Sequence, residues 1–410
     1  MLLIGVLLAK MEVPLATIGI YESTLFLSGI CTFFWVSGIL NSTLSVYPNK
    51  SEKEKKSFLF NIGIILTILS IITTVAAGAY LFLTKQNMVA DESIKFAIII
   101  YILINTPTYF NEYYLLLTEQ KNRLITYGVI GFLINVAVVI VPIYLTGKIL
   151  YSIYGLILFS ALKLILFAGI IARNTIHQID KPQIILFLKS ASPLIISILI
   201  SGSADYIDSW LVVTYFGQEK FAIFRYGAKE LPLSLILANS MSTAMIPILS
   251  SGRNIKDNFG QLIKESKLLM NWLFPATIIL LVSSKLLYPL IFSESFSESS
   301  RIFNIYLLLI ISRMIFPQSI MMALNAKQEI FHTAILEIII NITASYLLML
   351  KFGIQGIAYG TVIAFFTEKL ILAFLLKSKG IDIQEYTPFR LWAGYSTLMV
   401  ITYILVENFL

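Results

Sequence analysis

The residues best able to do chemistry in this sequence are ionisable groups set inside apolar runs. Glu22, Glu112, Lys163, Asp205, Asp208, Arg225, Lys229, Glu230, Lys285, Arg313, Glu337, Glu368 and Lys369 all sit in such runs. A charge in an apolar medium is costly, so it faces a protein interior, a partner or a watery cavity. Groups of this kind can bind an anion, hold a cation or carry a proton. Other chemistries lack their residues. No GxxxxGK[ST] phosphate loop, GxSxG turn or HExxH pair occurs. Two histidines (His177, His332) and one cysteine (Cys31) exclude a histidine-built metal cluster and an internal disulfide framework.

The densest group lies in SGSADYIDSWLVVTYFGQEKFAIFRYGAKEL, residues 201–231. Asp205 and Asp208 share one helix face by spacing, and Arg225 and Lys229 share another. A turn near Gly217 would set Asp208 level with Arg225 and Asp205 level with Lys229, roughly 10–15 Å below the turn at the rise of a helix. Two structural ion pairs tying a hairpin together satisfy this spacing. So do cations facing a cavity that takes an anionic head group. Lys163 and Lys369 either snorkel to an interface or line the same cavity. Glu368 is expected to diverge from Lys369, because adjacent helical residues point about 100° apart. Arg313, four residues before Pro317, is the single best candidate for a functional cation, and Glu337 for a protonatable carboxylate.

The elements holding these groups follow from composition. Of 410 residues 58% are apolar and 13% charged, against about 25% charged in a soluble domain. The opening MLLIGVLLAK lacks the basic flank of a secretory signal, and apolar segments run to the last residue. Segments of about 20 apolar residues predict helical spans near 18–46, 58–83, 96–117, 124–146, 150–172, 185–215, 220–249, 268–292, 302–324, 330–350, 355–376 and 389–409, after a stub at 1–9. Short loops and weak alternation disfavour a β-barrel. Loops on one side carry 16 basic residues, among them Lys50, Lys53, Lys55, Lys56 and Arg253; those opposite carry 7, among them Lys85. That bias makes the basic loops cytoplasmic, in a multi-pass membrane protein. It also explains the net charge of +7 without nucleic acid. The loop 251–267 is expected to form a short interfacial helix with Phe259, Leu262 and Ile263 on one side.

The chain also matches itself at an offset of 206: Lys121 falls on Lys327, Asn135 on Asn341, Gly147 on Gly353, and Lys163-Leu-Ile-Leu166 on Lys369-Leu-Ile-Leu372. The expected fold is therefore an all-α polytopic membrane protein of two parallel-repeat bundles, each of about six helices, around a central cavity. The divisions are an N-terminal bundle 1–171, a cytoplasmic linker 172–184, a C-terminal bundle 185–380 and an extra helix 381–410. The repeat predicts that residues 1–9 are only the tail of a first span.

The segment MALNAKQEIFHTAILEIIINITASYLLMLKFGIQGIAYGTVIAFFTEKL resembles the polysaccharide-export flippases (Wzx-type) of the multidrug/oligosaccharidyl-lipid/polysaccharide (MOP, MATE-like) superfamily, through Gly353-x-x-Gly356-x-Ala358-x-Gly360. Asp208, Tyr226-Gly-Ala228-Lys229 and Pro247-Ile-Leu-Ser250 are similar to the start of the family's second half, and Gly19 with Tyr21 to its second span. The resemblance implies alternating access and no enzymatic step. The implied substrate is an undecaprenyl-diphosphate-linked glycan of an O-antigen, capsule or exopolysaccharide. Arg313, Arg225, Lys229, Lys369 and Lys163 would meet its diphosphate. Coupling to H+ or Na+ would need a carboxylate such as Glu337, Asp205 or Asp208, with no other cofactor. The implied partners are the bilayer, the lipid-linked oligosaccharide and other polysaccharide assembly proteins. Competing readings are a cation-coupled exporter of the same superfamily, and an integral-membrane polymerase or acyltransferase. The latter should show a long periplasmic loop or clustered histidines.

Overall fold

The structure, a computed structural model, describes residues 2–83, 89, 91–230, 232–251 and 255–409; Lys85 and Arg253, counted above among the loop cations, lie outside them. Every regular element among the described residues is helical. Isoleucine- and valine-rich runs that favour strands in water become helices in lipid, because a helix satisfies its own backbone. In chain order the helices are α1 (Leu2–Lys10), α2 (Leu15–Val46), α3 (Glu52–Leu83), α4 (Glu92–Asn105), α5 (Phe110–Leu117), α6 (Lys121–Thr146), α7 (Ile149–Asn174), α8 (Lys181–Gly227) and α9 (Pro232–Ser250). They continue with α10 (Phe259–Ile291), α11 (Ser297–Leu307), α12 (Ile310–Arg313), α13 (Pro317–Ala323), α14 (Lys327–Phe352), α15 (Ile354–Ser378), α16 (Ile383–Tyr386) and α17 (Phe389–Phe409). Among the described residues ten helices are long and apolar enough to cross a membrane, and a pair bent by 42°, Glu294–Arg313 with Pro317–Ala323, would make an eleventh.

Several expected spans are revised. The stretches 96–117 and 302–324 are broken helices rather than straight spans. A 3-10 turn, Thr106–Tyr109, separates α4 from α5 around Pro107, and α12 and α13 are split before Pro317. Proline lacks the N–H that would continue the ladder, and side chains take up freed carbonyls: Ser70 Oγ donates to Leu103 O at 3.0 Å, Trp392 Nε1 to Ile311 O at 2.9 Å. The expected turn near Gly217 is present as a non-helical break (φ 76°, ψ −173°) that divides Lys181–Gly227 into two helical stretches, but the span expected at 220–249 is itself broken after Gly227, before a shorter α9. The loop 251–267 is no separate helix: from Phe259 it is continuous with α10, because Phe259 and Leu262 bury into the core rather than lie on a membrane surface.

The repeat is visible in backbone detail. Helices α6 and α14 are both 26 residues long and start 206 positions apart. Gly147 and Gly353 end them with φ of 65° and 60°, and the only other residues than glycine with positive φ besides Glu12, among those described, are Glu119 and Asn325, again 206 apart, at 57° and 58°. Gly155 and Gly360 let the following helix close onto its predecessor. A Cβ at Gly155 would lie 2.3 Å from Val138 O, and one at Gly360 2.4 Å from the Ser345 backbone N. Gly360→Ala is therefore expected to force α14 and α15 apart and lower the melting temperature of the detergent-purified protein sharply. Gly128→Ala meets nothing within 4 Å and should be neutral, or stabilising by up to about 1 kcal/mol.

The chain divides into two compact units, Met1–Tyr206 with Val213–Phe221, and Ile207–Val212 with Ala222–Leu410. Residues 185–206, expected to open the second bundle, group with unit 1 in this division. There Ile195 packs on Gly38, Phe33 packs on Gly202, and Phe33 stacks on Tyr206 at 4.3 Å. The core of unit 1 gathers Trp35, Ile39, Phe58, Leu66, Phe110 and Phe167. That of unit 2 gathers Met245, Phe274, Met314, Ile320, Leu372 and Tyr386, and α17, expected as an extra helix, packs into it through Tyr395 stacked on Phe274 at 5.1 Å. Outward faces are apolar: Ile125, Leu133, Tyr144 and Leu145 of α6 are all well exposed, as in a helix bathed by acyl chains.

Candidate functional site

In unit 2, α14 reverses the pattern of a soluble helix. Its buried positions Thr333, Glu337, Asn341, Ser345 and Met349 recur every four residues, while Leu336, Ile339, Leu347 and Leu350 face outward. Spacing of four keeps residues on one face, so the helix turns a polar stripe inward. Against it lies Asp208 of α8, 1% exposed. Its Oδ2 accepts hydrogen bonds from Tyr306 Oη of α11 (3.0 Å) and from Thr361 Oγ1 of α15, and Ser345 Oγ lies 3.5 Å from its Oδ1. Asn341 Nδ2 donates to Thr361 Oγ1 at 3.2 Å, and Ser345 Oγ to Ile357 O at 3.1 Å. The Asn341 Oδ1 is buried without a hydrogen-bond partner. A buried acceptor left open beside a carboxylate and three hydroxyls is an all-oxygen lining. Such a lining suits a proton or a hard cation rather than a transition metal. Among the described residues no group of three or more His, Cys, Asp or Glu could hold a metal.

The other expected site residues are distributed differently. Asp205 is exposed and takes no part in the Asp208 cluster. Arg225 lies in the last turn of α8, half-buried, but Lys229 lies past Gly227, where the helix ends. The two therefore do not share a helix face as their spacing suggested. Arg313 is held by Glu230 in a two-point pair, Nη2 to Oε1 at 2.7 Å and Nε to Oε2 at 3.1 Å, with its guanidinium 4.8 Å from the centre of the Phe365 ring. Lys369 pairs with its neighbour Glu368 at 2.8 Å and donates to Gln318 Oε1 at 3.2 Å. This overturns the expectation that the two diverge. Their Cβ atoms do, but long side chains buried together bend their heads into contact, since an unpaired charge there costs more than an awkward rotamer. Glu337 is buried one turn before Asn341 on the polar stripe.

Lys163 belongs to unit 1. Its Nζ donates to Asn105 Oδ1 at 2.7 Å and sits 5.1 Å from the Phe159 ring centre. It lines a cavity of about 270 Å³ with Tyr21, Tyr101, Glu112, Tyr127 and Asn135. Asn105 is placed by the break after α4, and Asn111 of α5 donates to Lys163 O at 2.9 Å, so the broken helix positions this lysine. Reasoning from charge alone missed Asn105, Tyr306, Ser345 and Thr361. A four-residue polar period inside an apolar helix was the available signal.

No protein-family model matches the sequence, and comparison with curated proteins finds no match. Solved structures do match. The lipid II flippase MurJ, in an inward closed conformation, aligns with 100% of this chain and 90% of its own, at 18% identity and a TM-score of 0.69. A MATE transporter in the straight conformation aligns over 92% and 91% of the two chains, at 13% identity and 0.53. A MOP superfamily transporter from Pyrococcus furiosus aligns over 89% and 87%, at 15% identity and 0.51. The chain is thus an all-helical, multi-pass membrane protein with the two-repeat fold of the MOP and MATE transporters.

Proposed function

We propose that the protein is a flippase for lipid-linked oligosaccharides. It would carry an undecaprenyl-diphosphate-linked glycan unit across the bacterial cytoplasmic membrane by alternating access, with the basic loops on the cytoplasmic side. The observation that carries this reading is the likeness of fold to the lipid II flippase over the whole chain, at a TM-score of 0.69 against 0.53 for the MATE transporter. The residues support it through their charges. A diphosphate crossing a low-dielectric region needs cations with donors to spare. Lys163 is the foremost of them, since its ammonium lines a cavity and is bonded to a neutral amide. Arg225, Lys229, Lys369 and Arg313 are the further cations, all four already engaged within the protein, Arg313 with Glu230 and Lys369 with Glu368. Asp208 is the carboxylate through which a proton or sodium gradient would act, with Glu337 one turn from its cluster.

The test is reconstitution in liposomes with a fluorescent undecaprenyl-diphosphate oligosaccharide, following its exposure on the far leaflet. Transport of that lipid supports the reading. Turnover of a cationic dye without lipid exchange would make the protein an exporter instead. Lys163→Ala should lower the flipping rate about tenfold or more, the worth of one charge-assisted phosphate contact. It should leave the melting temperature nearly unchanged.

A further inference from the structure

Where α10 meets the turn from α16 into α17, unit 2 holds a second polar recess, distinct from the Asp208 cluster and the Lys163 cavity. It is an open recess of about 730 Å³, lined by Ile263, Lys267 and Asn271 of α10 and by 384 and 387–391 of the turn, with Lys267, Asn271 and Arg390 exposed. Two of its side chains, Lys267 and Arg390, are cations that make no hydrogen bond or ion pair with any described residue, and no carboxylate lines the recess. The nearest acid in sequence, Glu385, is committed elsewhere. Its Oε2 pairs with Lys256 at 2.7 Å and its Oε1 accepts the Asp382 N–H at 2.9 Å, and these contacts hold its carboxyl below the usual range. Asn271 Oδ1 accepts from Tyr395 Oη at 3.2 Å, which leaves its amide donors for the recess. The first turn of α17 adds backbone N–H groups that no helical carbonyl reaches. Donors and positive charge thus converge with no carboxylate in the lining to neutralise them.

The surroundings fix the chemistry of the occupant. Lys267 is the last charge before the apolar stretch LLMNWLFPATIILLV of α10, and Trp272, 72% exposed, stands one turn further on. A tryptophan just inside the last cation marks the level of lipid head groups. Beside the polar donors the recess carries Phe389, Leu391 and Ile263, so its ligand is polar at one end and apolar at the other. We propose that this recess is a binding site for the phosphate head group of an anionic phospholipid, with Lys267 and Arg390 on the phosphate and the glycerol and upper acyl chains against Phe389 and Leu391. A basic pocket between transmembrane helices gains about 1 kcal/mol per cation from an anionic lipid surface. The pocket adds selectivity because both cations can meet one phosphate.

Native mass spectrometry of the full-length protein, released from nanodiscs of phosphatidylglycerol and phosphatidylcholine, tests this. The wild type should retain phosphatidylglycerol in preference to phosphatidylcholine, and Lys267→Ala with Arg390→Ala should lower that retention roughly tenfold or more. Lys267→Arg with Arg390→Lys should keep it, and the pair shows whether loss reflects charge or misfolding. Lys264→Ala, an exposed cation of the same helix outside the recess, should change nothing. Equal retention of both lipids, unchanged retention in the double alanine variant, or equal loss in Lys264→Ala would overturn the proposal. Displacement by excess inorganic phosphate without lipid preference would assign the recess to free phosphate and overturn it likewise. None of these readouts depends on flipping, so the transport reading stands or fails separately.

Discussion

Asparagine in place of Asp208 is expected to leave a folded protein that no longer responds to an ion gradient, whereas alanine there is expected to destabilise the fold by about 3 kcal/mol. The difference lies in what the neighbours need. Asp208 accepts from Tyr306 and Thr361 with Ser345 close by, all in a cluster without exposed surface. Alanine takes away the acceptor of the Tyr306 hydroxyl and leaves Thr361 only its longer bond to Ile357 O at 3.3 Å, and a buried donor that loses its partner costs about 1–3 kcal/mol. Asparagine keeps one acceptor, and the hydroxyls can rotate to accept from its amide. What it cannot do is change charge, which a carboxylate must do to exchange a proton or hold a cation beside the open Asn341 oxygen. Melting in detergent should separate the two variants, and flipping with and without imposed proton or sodium gradients should show Asp208→Asn insensitive to both. A gradient response that survives in Asp208→Asn would remove this residue from coupling.

Arg313→Ala is expected to cost about 3 kcal/mol in stability, through the Glu230 carboxylate it strands. Both partners are 17% exposed at the side chain, and the guanidinium meets both carboxylate oxygens. Removing one partner of such a pair leaves a charge with neither water nor counter-ion, so Glu230→Ala should be nearly as harmful. Replacing both, as Arg313→Met with Glu230→Leu, should recover most of the loss, because the pair's desolvation is removed with the pair. Melting temperatures of the four proteins close a double-mutant cycle. Should Arg313→Ala melt like the wild type while flipping stops, Arg313 acts on the substrate instead of holding the break between α12 and α13.

The membrane character, the repeat and most helix limits were legible because apolar length and the offset of 206 are local properties of the sequence. Residues 330–350 read as a span and fold within one helix, Lys327–Phe352; Gly147 and Gly353 matched in sequence and both take a positive φ. The breaks at Thr106–Tyr109 and before Pro317 were not legible, since proline within an apolar run also occurs in unbroken membrane helices. For the candidate site, charge counting found Asp208, Arg313, Lys163 and Glu337 but not their partners. Spacing set Asp208 level with Arg225 but could not point to the hydroxyls of Tyr306 and Thr361, 98 and 153 residues away, that donate to its carboxylate. Threonine, serine and tyrosine are common on lipid-facing and buried faces alike, so their chemistry shows only when the fold brings them to a charge.

The close glycine contacts within α14–α15 bear on how the chain enters the membrane at all. Alone, α14 would offer Glu337, Asn341 and Ser345 to acyl chains, and one ionised side chain at mid-helix is enough to raise insertion cost by roughly 2.5–3.5 kcal/mol. Only Gly353 separates it from α15. Because Gly356 and Gly360 admit the α14 backbone and Thr361 meets Asn341, the polar stripe can be covered as soon as 25 more residues have been synthesised. Loop closure over so short a connection is fast and entropically cheap. The pair is suited to leave the translocation channel together as a preassembled hairpin, already shielding its costly face before the rest of unit 2 gathers around it.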